Sequence, residues 1–205
     1  MEFLQLRSLQ DLKKFQSVAR KIHKTEFPID YLKRSKVIVY VDENRKFRGG
    51  YALAHKTPFR SMEYLAPQII NAESYFKKFD LNDIFEINCL WLDPRMSGQG
   101  NSFQFWLRLY RDMISLRKKA FIYTYELNRP HLGRIYSVAK PKVIYKGKTP
   151  KLSGNTNEDW NVIEMATMNN IYLAPIRSPS FLLKRLLLSK WIRKINRTSL
   201  NLLKS

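Results

Sequence analysis

The chain has one cysteine, Cys89, and three histidines, His23, His55 and His131, that lie far apart along it. A single thiol excludes an intrachain disulfide framework, so a reducing, cytoplasmic location is expected and Cys89 reads as a core thiol. The histidines show none of the paired spacing of a zinc site, so no metal is expected. No apolar run is long enough to span a bilayer. Met1 to Arg7 carries an early acid and no continuous apolar core, unlike a signal peptide. Acid is also scarce: 17 Asp and Glu stand against 37 Lys and Arg, a formal net charge of +20, and residues 180–205 carry none. That balance asks for an anionic partner: the phosphates of a cofactor, an acidic carrier protein, RNA or DNA, or an anionic membrane surface.

With 44% hydrophobic and 13% aromatic residues in 205, the chain can bury one sizeable core. Alternation predicts a strand over 3–7. Leu12, Phe15, Val18, Ala19 and Ile22 recur at helical spacing, with Ser8 and Asp11 as a capping pair. The β-branched run 37–41, the polar turn 42–46 and the extended stretch 47–54 through Gly49-Gly50 read as a hairpin. Residues 56–83 are less regular. Arg60 and Glu63 there can orient a substrate or stand as plain surface charges.

The most informative stretch is 84–100. Residues 84–94 form a dense apolar run that Pro94 must end, because proline cannot continue a ladder. Arg95-Met96-Ser97-Gly98-Gln99-Gly100 follows, and then a helix begins in which Phe105, Leu107, Leu109, Met113 and Ile114 recur and Asn101 or Ser102 can cap. Strand, glycine turn and helix start make an anion site. The first helical turn leaves N–H groups without partners, the helix dipole adds positive charge, and Gly98 and Gly100 let the main chain approach a pyrophosphate. A helix-capping loop of no further function reads the same way. Strands are also predicted at 120–125, 143–145 and 161–165, with a polar loop at 147–159.

This segment resembles motif A of the GNAT superfamily of acyl-CoA-dependent N-acyltransferases, a strand followed by Arg/Gln-x-x-Gly-x-Gly/Ala. Residues 95–100 fit that pattern in full, and Leu90-x-Leu92-x-Pro94 is similar to the family's strand ending. Asn128-Arg129-Pro130-His131-Leu132-Gly133-Arg134-Ile135-Tyr136 resembles the family's turn and helix in which an Asn near the coenzyme precedes a Leu-Tyr or Ile-Tyr pair. It has one inserted residue and lacks the usual Gly-Phe after the tyrosine.

The resemblance implies an α/β fold, a mixed and mostly antiparallel sheet flanked by helices, over residues 1–173. It implies acyl-CoA, acetyl-CoA or longer, as co-substrate, and an amine-bearing small molecule, peptide or protein as acceptor. Coenzyme contacts would come from Leu90, Trp91, Leu92, Arg95, Met96, Ser97, Gly98, Gln99, Gly100, Asn101 and Asn128, with main-chain N–H groups of 90–92 polarising the thioester oxygen. Glu86 would be the general base, as burial beside Phe85 and Ile87 raises its pKa; Tyr136 would protonate the departing thiolate. Each has a structural alternative, a hydrogen-bonded Glu and a core Tyr. Two rivals stand beside this reading: a long-chain acyltransferase fed by an acidic acyl-carrier protein or acyl-CoA at a membrane, and a non-catalytic nucleic-acid-binding protein. Residues 174–205 read as a basic amphipathic helical tail that would meet a membrane, RNA, a partner or its own domain.

Overall fold

The structure, a computed structural model, describes residues 2–96, 101–128, 133, 136–150, 152 and 160–177. The glycine turn at 97–100 and the basic tail from residue 178 lie outside these. The elements run β1 (Glu2–Leu6), α1 (Leu9–His23), α2 (Ile29–Lys33), β2 (Ser35–Val41), β3 (Phe47–Ala54), α3 (Arg60–Glu63), α4 (Pro67–Ala72), α5 (Ser74–Lys78), β4 (Ile84–Leu92), α6 (Asn101–Ser115), β5 (Ala120–Glu126), β6 (Lys142–Lys148), β7 (Trp160–Thr167) and α7 (Met168–Arg177).

The strands form one seven-stranded sheet in the order β1-β2-β3-β4-β5-β7-β6. Every pairing is antiparallel except β4 with β5. Strand alternation divides the core in two. Val37, Val39 and Val41 of β2, Ala52 and Ala54 of β3 and Ile122 of β5 face the layer of α1 and α2, where Leu12, Phe15, Tyr31 and Leu32 are buried. Ile38, Tyr40, Tyr51, Leu53, Phe85 and Phe121 face α6 through Phe105, Leu109 and Met113. Strands covered on both faces need continuous apolar runs, which is why 37–41 and 84–92 show so little polar alternation.

Helix α1 starts where the sequence places it. The Ser8 hydroxyl accepts from the Asp11 N–H at 3.1 Å and donates to the Asp11 carboxylate at 2.6 Å. The left-handed Lys24 at φ 58° ends it. Two predicted apolar positions turn outward instead, Ile22 on α1 and Leu107 on α6, because a turn of helix lying on a sheet buries only part of its circumference. Asp112 occupies a buried place on α6, accepting from Tyr51 Oη at 2.6 Å, Lys36 Nζ at 2.9 Å and Arg108 Nε at 2.9 Å. It ties the helix to β2 and β3.

The segment expected to be irregular folds into the short helices α3 to α5, and Arg60, expected either to orient a substrate or to stand as a surface charge, is only 4% exposed. The reason lies across the sheet, in Glu86.

Candidate active site

Gly50 on β3 lies opposite Trp91, while two residues on, Ala52 lies opposite Asn88. Strand β4 therefore holds one residue more than its partner, a bulge, and Cys89 takes the extra turn with φ 53°, rare for a residue with a Cβ. Gly50 makes room for it: a methyl group there would stand 2.5 Å from Trp91 Cη2 and 3.0 Å from Phe15.

The bulge bends β4 away from its other neighbour. The parallel ladder with β5 runs from Ile84↔Ala120 to Ile87↔Tyr123 and stops, whereas β5 continues beside β7 as far as Glu126↔Asn161. Between the parted strands opens a cleft, with Asn88, Cys89 and Leu90 on one wall, Thr124, Tyr125 and Glu126 on the other, and Ser61 and Tyr136 beside them. Beyond Ile87 the edge of β4 that faces β5 has no ladder partner among the described residues. Strand edges without partners present N–H and C=O groups ready to bind a polar chain.

Behind the cleft lies Glu86, with no exposed surface. Its Oε1 accepts from the Ser61 N–H at 2.6 Å and Ser61 Oγ at 2.5 Å; its Oε2 accepts from Tyr31 Oη at 2.8 Å and the Arg60 N–H at 3.0 Å. Burial raises its pKa, while the donors from Ser61, Tyr31 and Arg60 work to hold the anion. This carboxylate anchors the start of α3 on the sheet and draws Arg60 inward. Burial, with Glu86 nearby, likewise raises the Cys89 thiol well above its ordinary value. Glu86 touches the cleft through Ser61, whose hydroxyl also accepts from Thr124 Oγ1 at 2.8 Å, and through Tyr31, which accepts from Asn88 Nδ2 at 3.0 Å.

Tyr136 lies on the opposite side, its ring stacked on Tyr123 at 3.9 Å between centroids. The Tyr123 hydroxyl donates to Glu164, and Tyr125 Oη donates to the same carboxylate at 3.2 Å. Burial raises the Tyr136 phenol above its ordinary value, so the hydroxyl keeps its proton at neutral pH.

The expected coenzyme contacts fall in several settings. Leu90 borders the cleft, Trp91 packs its ring against Phe15 at 5.2 Å, and Leu92 lies opposite Gly49. Met96 is buried in the α6 layer. Arg95 is largely exposed and bound to Asp93, Nη2 to Oδ2 at 2.7 Å; that hydrogen bond is the main reason Asp93 titrates well below the usual carboxylate range. Its charge is thus already paired. Asn101 opens α6, Asn128 is exposed after β5, and Ser97, Gly98, Gln99 and Gly100 lie outside the described residues. Sequence reasoning missed Tyr31, Ser61, Asn88 and Thr124. Thr124 alone carried a signal, a small hydroxyl between two tyrosines and so on the opposite strand face. Among the described residues no three His, Cys, Asp or Glu converge as a metal site, and no helix is long and apolar enough to cross a membrane.

Strand order, the lone parallel pair, the bulge and the cleft define the GNAT fold. A chimera of the spermidine N-acetyltransferase SpeG from Vibrio cholerae and hSSAT matches 84% of this chain and 99% of its own at 10% identity, TM-score 0.51. NAA60 from Arabidopsis thaliana, solved with acetyl-CoA, matches 82% and 98% at 10% identity, TM-score 0.56. FeeM, an N-acyl amino acid synthase from uncultured soil microbes, matches 83% and 91% at 7% identity, TM-score 0.58. No family model matches the chain, and no curated protein matches it in sequence.

Proposed function

We propose that the chain is an N-acyltransferase that moves an acyl group from an acyl-CoA thioester, acetyl-CoA or longer, to an amine by direct attack. The observation that carries this is the cleft itself: two parted strand edges with a buried, hydrogen-bonded carboxylate behind one and a protonated tyrosine beside the other. A thioester would supply the electrophilic carbonyl. The chain fits it with the unladdered edge of β4 beyond Ile87 and the start of α6 at Asn101, which follows the glycine turn 97–100. Asn128, exposed after β5, would be a further contact for the coenzyme.

The ammonium proton passes to Glu86, the freed amine forms the N–C bond, and as the C–S bond breaks the thiolate takes the phenolic proton of Tyr136 while the phenolate takes the second proton released from nitrogen. Burial suits both groups: it raises Glu86 toward the range of a useful base and keeps Tyr136 protonated. The acceptor is an amine-bearing small molecule or peptide, in line with the spermidine and amino-acid acylating proteins that share the fold.

Calorimetric titration of coenzyme A into the wild-type chain and into a Gly98→Asp/Gly100→Asp variant tests the donor half. Binding by the wild type and loss in the variant, with circular dichroism unchanged, is expected. Thiol release from acetyl-CoA on adding polyamines, amino acids or peptides tests the acceptor half. A wild-type chain that binds no coenzyme A refutes the proposal.

A further inference from the structure

Glu86 has no exposed surface, so an acceptor amine in the cleft cannot touch it. Some other group must hand over the proton. Two hydrogen-bonded lines lead from the cleft to this carboxylate. In one, Asn88 Nδ2 donates to Tyr31 Oη at 3.0 Å and Tyr31 donates to Oε2 at 2.8 Å. A carboxamide nitrogen has no lone pair to take a proton while it gives one, so this line ends at Asn88.

In the other, Thr124 Oγ1 donates to Ser61 Oγ at 2.8 Å and Ser61 Oγ donates to Oε1 at 2.5 Å. Both members are hydroxyls, both border the cleft, and both donors already point inward. Thr124 Oγ1 is the cleft end of that line; Glu126 on the same wall and His23 also line the cleft, and no hydrogen-bonded line from either to Glu86 is seen among the described residues.

We propose that Thr124 and Ser61 form a hydroxyl relay that carries the proton of the acceptor ammonium to Glu86. This rests on the acyltransferase reading. The N–H bond breaks as Thr124 Oγ1 takes the proton, Thr124 passes its own proton to Ser61 Oγ, and Ser61 passes its own to Oε1. The nitrogen keeps the electron pair and is ready to attack. The hydroxyls end as they began, the ammonium has become an amine, the carboxylate a carboxylic acid, and nothing is oxidised or reduced. The titratable groups packed around Glu86 do not compete. Tyr31 from α2 and Cys89 on its own strand are both held well above their ordinary values by burial, and Arg60 on α3 meets the carboxylate through its main-chain N–H.

The test compares acetyl transfer from acetyl-CoA to benzylamine, protonated at neutral pH, with transfer to hydroxylamine, largely unprotonated there. The full chain carries Thr124→Val, Ser61→Ala, Thr124→Ser or, as a control that removes a donor to Glu86 outside the relay, Tyr31→Phe. Thermal melts establish that each variant is folded. Thr124→Val and Ser61→Ala should lose about 100-fold with benzylamine at neutral pH, the low end of what a general base contributes. The loss should shrink as pH rises, both variants should change little with hydroxylamine, and Thr124→Ser should keep the benzylamine rate. Equal losses with both amines at every pH, or a Tyr31→Phe profile matching Thr124→Val, would overturn the relay and leave these hydroxyls a positioning role. A wild-type chain inert towards both amines would count against the acyltransferase reading itself, and the relay would fall with it.

Discussion

Replacing Glu86 by glutamine exchanges one oxygen for an NH₂ group, and the surroundings offer that group no harmless place. Each carboxylate oxygen accepts one hydroxyl and one main-chain N–H: Ser61 Oγ and Ser61 N–H on Oε1, Tyr31 Oη and Arg60 N–H on Oε2. A hydroxyl can rotate and accept from the new amide; a peptide N–H cannot. Whichever way the carboxamide flips, one main-chain donor, of Arg60 or of Ser61, faces another donor in the interior. A buried donor left unpaired costs about 1–3 kcal/mol. In a chain of this size that lowers the melting temperature by about 2–12 °C. Acid sharpens the test. Burial raises the folded-state pKa of Glu86 above its unfolded value, so the stability linked to this group is complete below the unfolded value and is lost as pH rises through the folded one. Glutamine has no such titration, so the gap between the two proteins should be widest in acid and narrowest in alkali. Calorimetric melts give the gap, and amide hydrogen exchange identifies the donor. A Gln variant that melts within about 1 °C of wild type, with Arg60 and Ser61 amides equally protected, would refute the reasoning.

Gly50→Ala would place a methyl group 2.5 Å from the Trp91 ring, which must move against Phe15. Overpacking of this kind costs about 1–3 kcal/mol, and an unchanged urea midpoint would count against the close fit. Asp112→Asn tests the tie between α6 and the sheet. Burial pushes this carboxyl upward, but its hydrogen bonds from Tyr51, Lys36 and Arg108 prevail and hold it below its ordinary value. Its stabilisation is therefore present above the unfolded value and lost as pH falls through the folded one. The variant should be less stable by about 2 kcal/mol at neutral pH and should lose less on acidification, read from urea melts; parallel acid profiles would sink the assignment.

The parts of the fold legible in the sequence are those where local chemistry and tertiary packing agree. Ser8 and Asp11 cap α1 as expected, the hairpin of β2 and β3 turns at residues 42–46, and β4, α6 and β5 follow one another as the apolar periods indicate. The bulge was not legible. Nothing in Asn88-Cys89-Leu90 marks a positive φ, and the tell-tale residue, Gly50, stands on the neighbouring strand. The helices at 60–78 were missed because each is too short to show a period, and α3 is held by hydrogen bonds to Glu86, dozens of residues further along the chain. The same distance hid Ser61 and Thr124, which acquire meaning only through a carboxylate that neither sequence neighbourhood contains.

The junction of β4 and β5 also has a mechanical reading. Four residue pairs join the two halves of the sheet there, and at their closed end main-chain bonds from Lys119 to Asp83 and from Met168 to Lys119, both 2.8 Å, fasten the corner. The sheet is therefore a pair of jaws pivoted at residues 83, 119 and 168, with the cleft at the open end. From the pivot at Asp83 to Leu92 the upper jaw extends about 30 Å at the usual strand rise, so a rotation of about 5° at the pivot shifts its tip by about 2.6 Å. That is the difference between gripping a slender chain and releasing it. Substitutions at the corner, far from any reacting atom, would thus set the width of the mouth.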